Sequence, residues 1–134
     1  MRVILNEGVP KQLAEALREL GVDAHKFPKH LRQMTNGELI RAVEAAGFNV
    51  LLTNDKNIAS QQSLRGRNVA VVALPLNKKR QLVERAADVA DTVHRSRPGQ
   101  HVEMRMDGTR RAKKVVAEDT VTEELPAISP FSFK

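Results

Sequence analysis

The sequence predicts an α/β protein, a mostly parallel sheet with helices on both faces. Three observations predict it. The runs Val50-Leu51-Leu52-Thr53 and Val69-Ala70-Val71-Val72-Ala73-Leu74 are apolar or β-branched at almost every position. A strand without alternation has both faces covered, as in a parallel sheet. Segments of helical spacing separate the strand-like runs, and such alternation is how parallel sheets are built. Glycines and prolines punctuate the boundaries between these segments.

Taken in order, Arg2–Leu5 reads as a first strand ending at Asn6-Glu7-Gly8. Pro10 suits the first turn of a helix, where its missing N–H costs nothing. Leu13, Ala16, Leu17 and Leu20 then form one apolar face, closed by Gly21. Val22–Phe27 reads as a second strand, and Pro28–Gln33 as a basic loop holding His30 and Arg32. Thr35 with Glu38 has capping-box spacing for a second helix through Leu39, Ile40, Val43 and Ala46, ending at Gly47. Asn49–Thr53 is the third strand, Ile58–Leu64 a short helix broken by Gly66, and Val69–Leu74 a further strand ended by Pro75. Asn77 is expected to cap one long helix through Leu82, Val83, Ala86, Val89, Ala90 and Val93. After the turn at Pro98-Gly99, His101–Met106 alternates like a half-exposed edge strand. Right-handed crossovers would bring the carboxyl ends of the first and third strands to the same edge, where open α/β sheets bind ligands.

At 134 residues the chain has room for one domain and a tail. With four Phe and neither Trp nor Tyr, the core must be aliphatic and a base-stacking platform is not expected. No Cys means no disulfide frame and no thiolate zinc site, which suits a cytoplasmic location. No apolar run is long enough for a signal peptide or a membrane span. The net charge is +6. Residues 107–134 carry equal numbers of acids and bases, so the whole excess lies in residues 1–106 and can attract a polyanion. Residues 107–134 combine the basic cluster Arg110-Arg111-Ala112-Lys113-Lys114 with an acidic stretch and two prolines. They read as a flexible or partner-dependent tail following a folded unit at 1–106.

Carboxylates stand at two strand ends, Glu7 and Asp55, and Glu38 opens a helix between them. Oxygen ligands converging at strand ends suit Mg2+ or Mn2+, which can activate water and stabilise charge on a phosphate. Each acid also has a local reading: Glu38 as a capping-box residue, Asp55 in an Asx turn, Glu7 as a charge favoured near a helix N-terminus. His25, His30, His94 and His101 show no zinc-ligand spacing. Nucleophile triads and phosphate-binding glycine loops are absent from the sequence.

The stretches Leu5-Asn6-Glu7-Gly8-Val9-Pro10, Thr35-Asn36-Gly37-Glu38-Leu39 and Val50-Leu51-Leu52-Thr53-Asn54-Asp55-Lys56-Asn57-Ile58 occur in that order. In them the chain resembles the PIN-like domains of the VapC-related type, which also resemble the C-terminal domain of bacterial Mut-type exonuclease homologues. The resemblance covers about residues 1–106. It implies a PIN-like three-layer α/β/α sandwich with a mostly parallel central sheet, and by analogy a metal-dependent ribonuclease, often a toxin paired with an antitoxin. Where that family carries Asp, this chain has Asn6, Asn36 and Asn57, and only Glu7, Glu38 and Asp55 remain acidic in the three stretches. Asn keeps a carbonyl of similar shape but removes the charge that a hard cation needs.

Two readings of the function follow. In one, the protein is a Mg2+- or Mn2+-dependent ribonuclease with a reduced acidic site. Asp55 is then the principal metal ligand and Glu7 and Glu38 are further ligands or orienters of water. Asn6, Asn36, Asn54 and Asn57 contact substrate, and Lys56, Arg32, Arg65 and Arg67 bind phosphate. In the other, it is a catalytically impaired PIN-like module that binds RNA or a protein partner. An antitoxin or a second copy forming a homodimer are the protein partners to consider, acting through the tail or an apolar helix face.

Overall fold

The apolar run Val50–Thr53 forms a strand in which every residue is buried. It is the third strand, β3, of a computed structural model that describes residues 1–58 and 64–133. Before it come β1 (Arg2–Leu5), α1 (Lys11–Glu19), β2 (Asp23–His25), a 3-10 turn (Lys29–Leu31) and α2 (Asn36–Ala45). After it come β4 (Ala70–Ala73), α3 (Lys79–Glu84), α4 (Ala86–Arg95), β5 (His101–Met104), β6 (Arg110–Val116) and β7 (Asp119–Leu125). The short helix expected at 58–64 lies largely outside the described residues.

The strands form one seven-stranded sheet in the order β2-β1-β3-β4-β5-β6-β7. Pairing is parallel from β2 across to β5 and antiparallel from β5 to β6 and from β6 to β7. The pleat sends alternate residues to opposite faces. Val3, Leu5, Val50, Leu52, Ala70 and Val72 join a cluster with Leu13 and Leu17 of α1, Leu82 of α3 and Val89 and Val93 of α4. Ile4, Leu51 and Val71 join a second cluster with Leu39, Ile40 and Val43 of α2.

Both of the first two helices end as their glycines require. At α1, Gly21 N–H reaches the Arg18 carbonyl (2.9 Å) and Val22 N–H the Leu17 carbonyl (3.0 Å). Gly21 has φ +84°, the left-handed conformation that closes a Schellman motif. Gly47 and Phe48 repeat this on α2, bonding Glu44 (3.0 Å) and Val43 (3.1 Å). The buried face of α1 is Leu13, Ala14 and Leu17. Leu20 is exposed because it is the C-cap, past the last helical turn.

Three expectations need correction. The long helix from Asn77 is two helices, broken at Arg85 (φ −102°, ψ 19°), and the N-cap is Lys78. Periodicity runs through the break because α3 and α4 pack against the same cluster. Strand β5 is not an edge. Its alternation reflects one apolar face (Val102, Met104) and one polar face (His101, Glu103), while β4 and β6 pair with both of its sides. Residues 107–134, read as a flexible tail, carry β6 and β7 and a C-terminal stretch whose Phe131 is buried. Among the described residues no helix is long and apolar enough to cross a membrane.

Candidate functional site

In this strand order the chain leaves β1 toward β2 and leaves β3 toward β4, so the connections diverge between two paired strands. In open α/β sheets such a switch point marks the crevice, outside the carboxyl ends, where ligands bind. Asn6, Glu7 and Gly8 follow β1 there, and Asn54, Asp55 and Lys56 follow β3.

The two loops are stitched by side chains. Asn6 continues the ladder, its N–H donating to the Leu52 carbonyl (2.8 Å). Its side-chain amide donates to the Thr53 hydroxyl (3.1 Å), which also accepts from Asp55 N–H (3.0 Å). Asn54 donates from its amide to the Gly8 carbonyl (3.1 Å). A Cβ at Gly8 would sit 3.0 Å from the Asn54 side-chain oxygen, so a bare backbone fits that approach. The fully buried Thr53, which the sequence places at the strand end without a site role, is thus the hub. Its position at the last residue of an apolar strand is the signal that could have marked it.

Each of the three acids has a partner, local for Asp55 and Glu38 and sequence-distant for Glu7. Asp55 accepts from Asn57 N–H (2.9 Å), and Ile58 N–H reaches the Asp55 carbonyl (3.3 Å), an Asx turn inside a β-turn. Glu7 pairs with Arg32 (3.2 Å), both exposed. Glu38 accepts from the Thr35 hydroxyl (2.9 Å), while Thr35 accepts from Glu38 N–H (3.3 Å) as the N-cap of α2. Among the described residues no group of three or more His, Asp or Glu side chains is placed to hold a metal ion.

Of the basic candidates, Arg32 and Lys56 lie at the crevice, Lys56 facing Glu103 of β5 (3.8 Å). Arg65 and Arg67 precede β4 and so belong to the opposite, amino edge of the sheet. A four-residue strand, about 13 Å long, separates the two edges. Arg67 pairs there with Glu44 (3.1 Å). The Asn68 N–H above all holds the Glu44 carboxyl below its ordinary value against the opposing effect of burial, and Arg67 adds to the lowering. Asn36 is exposed as the first residue of α2. Farther along the sheet, burial pushes the His101 imidazole pKa down, Glu103 opposes this and Lys113 adds to it.

The chain matches no family model, no curated protein and no solved structure. The reading of this site therefore rests on its own geometry. That geometry offers amides, the turn-forming carboxylate of Asp55 and two exposed cations, Arg32 and Lys56, each paired with a carboxylate, Glu7 and Glu103.

Proposed function

We propose that the protein is a PIN-like module of three-layer α/β/α build that binds RNA at the crevice between β1 and β3. The observation that carries this reading is the stitched pair of loops at the switch point. Asn6 and Asn54 bridge them, Lys56 and Arg32 flank them, Glu38 and Asp55 are tied to local partners, and Glu7 is paired with Arg32. Phosphates would be met by Lys56 and Arg32, the latter exchanging Glu7 for the ligand. Such an exposed pair contributes little by itself, about 0–1 kcal/mol, so the exchange costs little. The polar amides would contact sugar and base edges.

A second reading, hydrolysis by a Mg2+- or Mn2+-dependent ribonuclease, is favoured by one observation: β1 and β3 are direct neighbours, so Glu7 and Asp55 leave adjacent strand ends. The donor set does not fit a metal well as it stands, because Glu38 is turned to its cap and Glu7 to Arg32.

Anisotropy titration of labelled single-stranded RNA over a salt series tests the proposal. Binding should weaken with salt, each phosphate contact contributing a log–log slope of about −0.7. Lys56→Ala should lower that slope by about one contact. Mn2+ calorimetry should show no micromolar site, and any RNA cleavage should be equal in wild type and Asp55→Ala. Micromolar Mn2+ binding together with cleavage, both lost in Asp55→Ala, would put the nuclease reading in its place. Failure to bind RNA at low salt would sink both.

A further inference from the structure

The chain's last described residues lie along α3 in an unusual way: three side chains of that region hold them almost entirely by the backbone. Arg85 donates to the carbonyls of Ser129 (2.6 Å) and Pro130 (3.0 Å). Gln81 contacts Ser132 twice, its amide N–H donating to the Ser132 carbonyl (2.5 Å) and its oxygen accepting from Ser132 N–H (2.9 Å). Lys78 donates to the Phe133 carbonyl (2.6 Å). Positions 78, 81 and 85 are spaced to share one helical face. On the other side, Phe131 N–H reaches the Met106 carbonyl (2.8 Å) and Ile128 N–H the Gly108 carbonyl (2.9 Å).

Ile128 packs half-buried against the main apolar cluster, and Phe131 is the deeper anchor of this segment. Phe131 is 6% exposed, packs into the main apolar cluster and lies under the Arg85 guanidinium, 4.1 Å from the ring centre. Phe133, two residues on, is 83% exposed. Backbone hydrogen bonds for affinity and one pocket for an alternate side chain are the components of peptide recognition by extended-strand addition.

We propose that the face of Lys78, Gln81 and Arg85, with the Phe131 pocket, is a peptide-docking groove whose ligand in trans is the same C-terminal segment from a second copy of this chain. The groove is already filled in cis by residues 128–133. Exchange between copies would replace every contact by its equal, which is what makes swapping of a terminal element a low-cost route to dimers. The segment joins β7 through Pro126, whose carbonyl is fixed by Arg110 (2.9 and 2.5 Å), so the hinge is the short stretch just beyond it.

The test uses full-length chains and a labelled peptide of residues 126–134. In wild type the tethered segment competes at an effective concentration in the millimolar range, so the added peptide should bind poorly. Full-length Phe131→Ala, with its own anchor removed, should bind the peptide at least about tenfold more tightly and should gain thermal stability as it does. A peptide with Ala in place of Phe131 should do neither. Arg85→Ala added to Phe131→Ala should abolish the binding. Wild-type chains carrying donor and acceptor dyes should exchange into mixed dimers at high concentration. A Phe131→Ala protein with unchanged circular dichroism that takes up the peptide no better than wild type would overturn the groove. Peptide binding without any mixed dimer would overturn the second copy as its occupant.

Discussion

Arg110 is the residue that most changes the meaning of the sequence. It sits in a cluster of four bases within five residues, yet it is 1% exposed, because β6 turns it toward α4. Its guanidinium donates to Asp91 (2.7 Å), to the Thr92 hydroxyl (2.9 Å) and twice to the Pro126 carbonyl (2.9 and 2.5 Å). Hydrogen bonds to a charged group contribute about 1.5–3 kcal/mol each when the partner is lost, but Asp91 is partly exposed and keeps Arg95 as a second partner, so the bonds do not add in full. Arg110→Ala is expected to lower stability by about 2–3 kcal/mol, read by urea unfolding at neutral pH. Arg110→Met, which keeps volume but leaves the Pro126 carbonyl without its donors, should fall between it and wild type. The difference should also depend on pH with a definite sign. Asp91 is held below its ordinary carboxyl value of 3.8, first by the Arg110 hydrogen bond. That stabilisation is present above the unfolded pKa and is lost as pH falls through the lowered folded value. A gap between wild type and Arg110→Ala that stayed constant through that acid range would contradict the linkage. The site residues were legible to different degrees for the same kind of reason. Asp55 could be placed at a strand end from the apolar run before it, whereas the neutralising partners of Glu7 and Lys56, namely Arg32 and Glu103, come from sequence-distant segments.

At the level of elements, legibility follows how much of the local signal belongs to the backbone. Pro10, Gly21, Thr35 and Gly47 bound α1 and α2 closely to where the sequence places them, because caps and left-handed glycines act through neighbouring residues. The β6–β7 hairpin carried no such mark. Its register pairs Val116 with Asp119, leaving Ala117-Glu118 as the loop. Hairpins of this length favour Gly or Asn where φ is positive, and here Ala117 adopts φ +56°. The strands themselves hide their period of two, since Arg110 and Ala112 point inward while β7 is exposed almost throughout. The left-handed conformation costs an L-residue about 1–2 kcal/mol, and a glycine returns part of that through greater freedom when unfolded. Ala117→Gly is therefore expected to stabilise the protein by roughly 0.5–1 kcal/mol, seen as a rise of a few degrees in Tm. A fall in Tm would mean that this loop does not hold Ala117 in the strained conformation.

For the whole molecule, the decisive property is that the centre of the sheet is apolar on both faces, which is also what the unalternating runs Val50–Thr53 and Val69–Leu74 encode. Leu51 and Leu52 are adjacent in sequence and both 0% exposed, but they belong to different clusters, Leu51 with α2 and Leu52 with α1, α3 and α4. A sheet covered on one face would tolerate truncation at one of these positions. Here each should cost about 2–5 kcal/mol when cut to Ala, the range for a buried leucine that leaves a cavity. Val121 of β7, 54% exposed at the far edge of the same sheet, should lose no more than about 0.5 kcal/mol on the same treatment. The measurement is the urea midpoint of Leu51→Ala, Leu52→Ala and Val121→Ala with the slope unchanged, so that the shift reports stability alone. A Leu51→Ala protein as stable as Val121→Ala would mean that α2 does not close its face. The crevice between β1 and β3 would then lose the support that holds Asn6 and Asp55 at one edge.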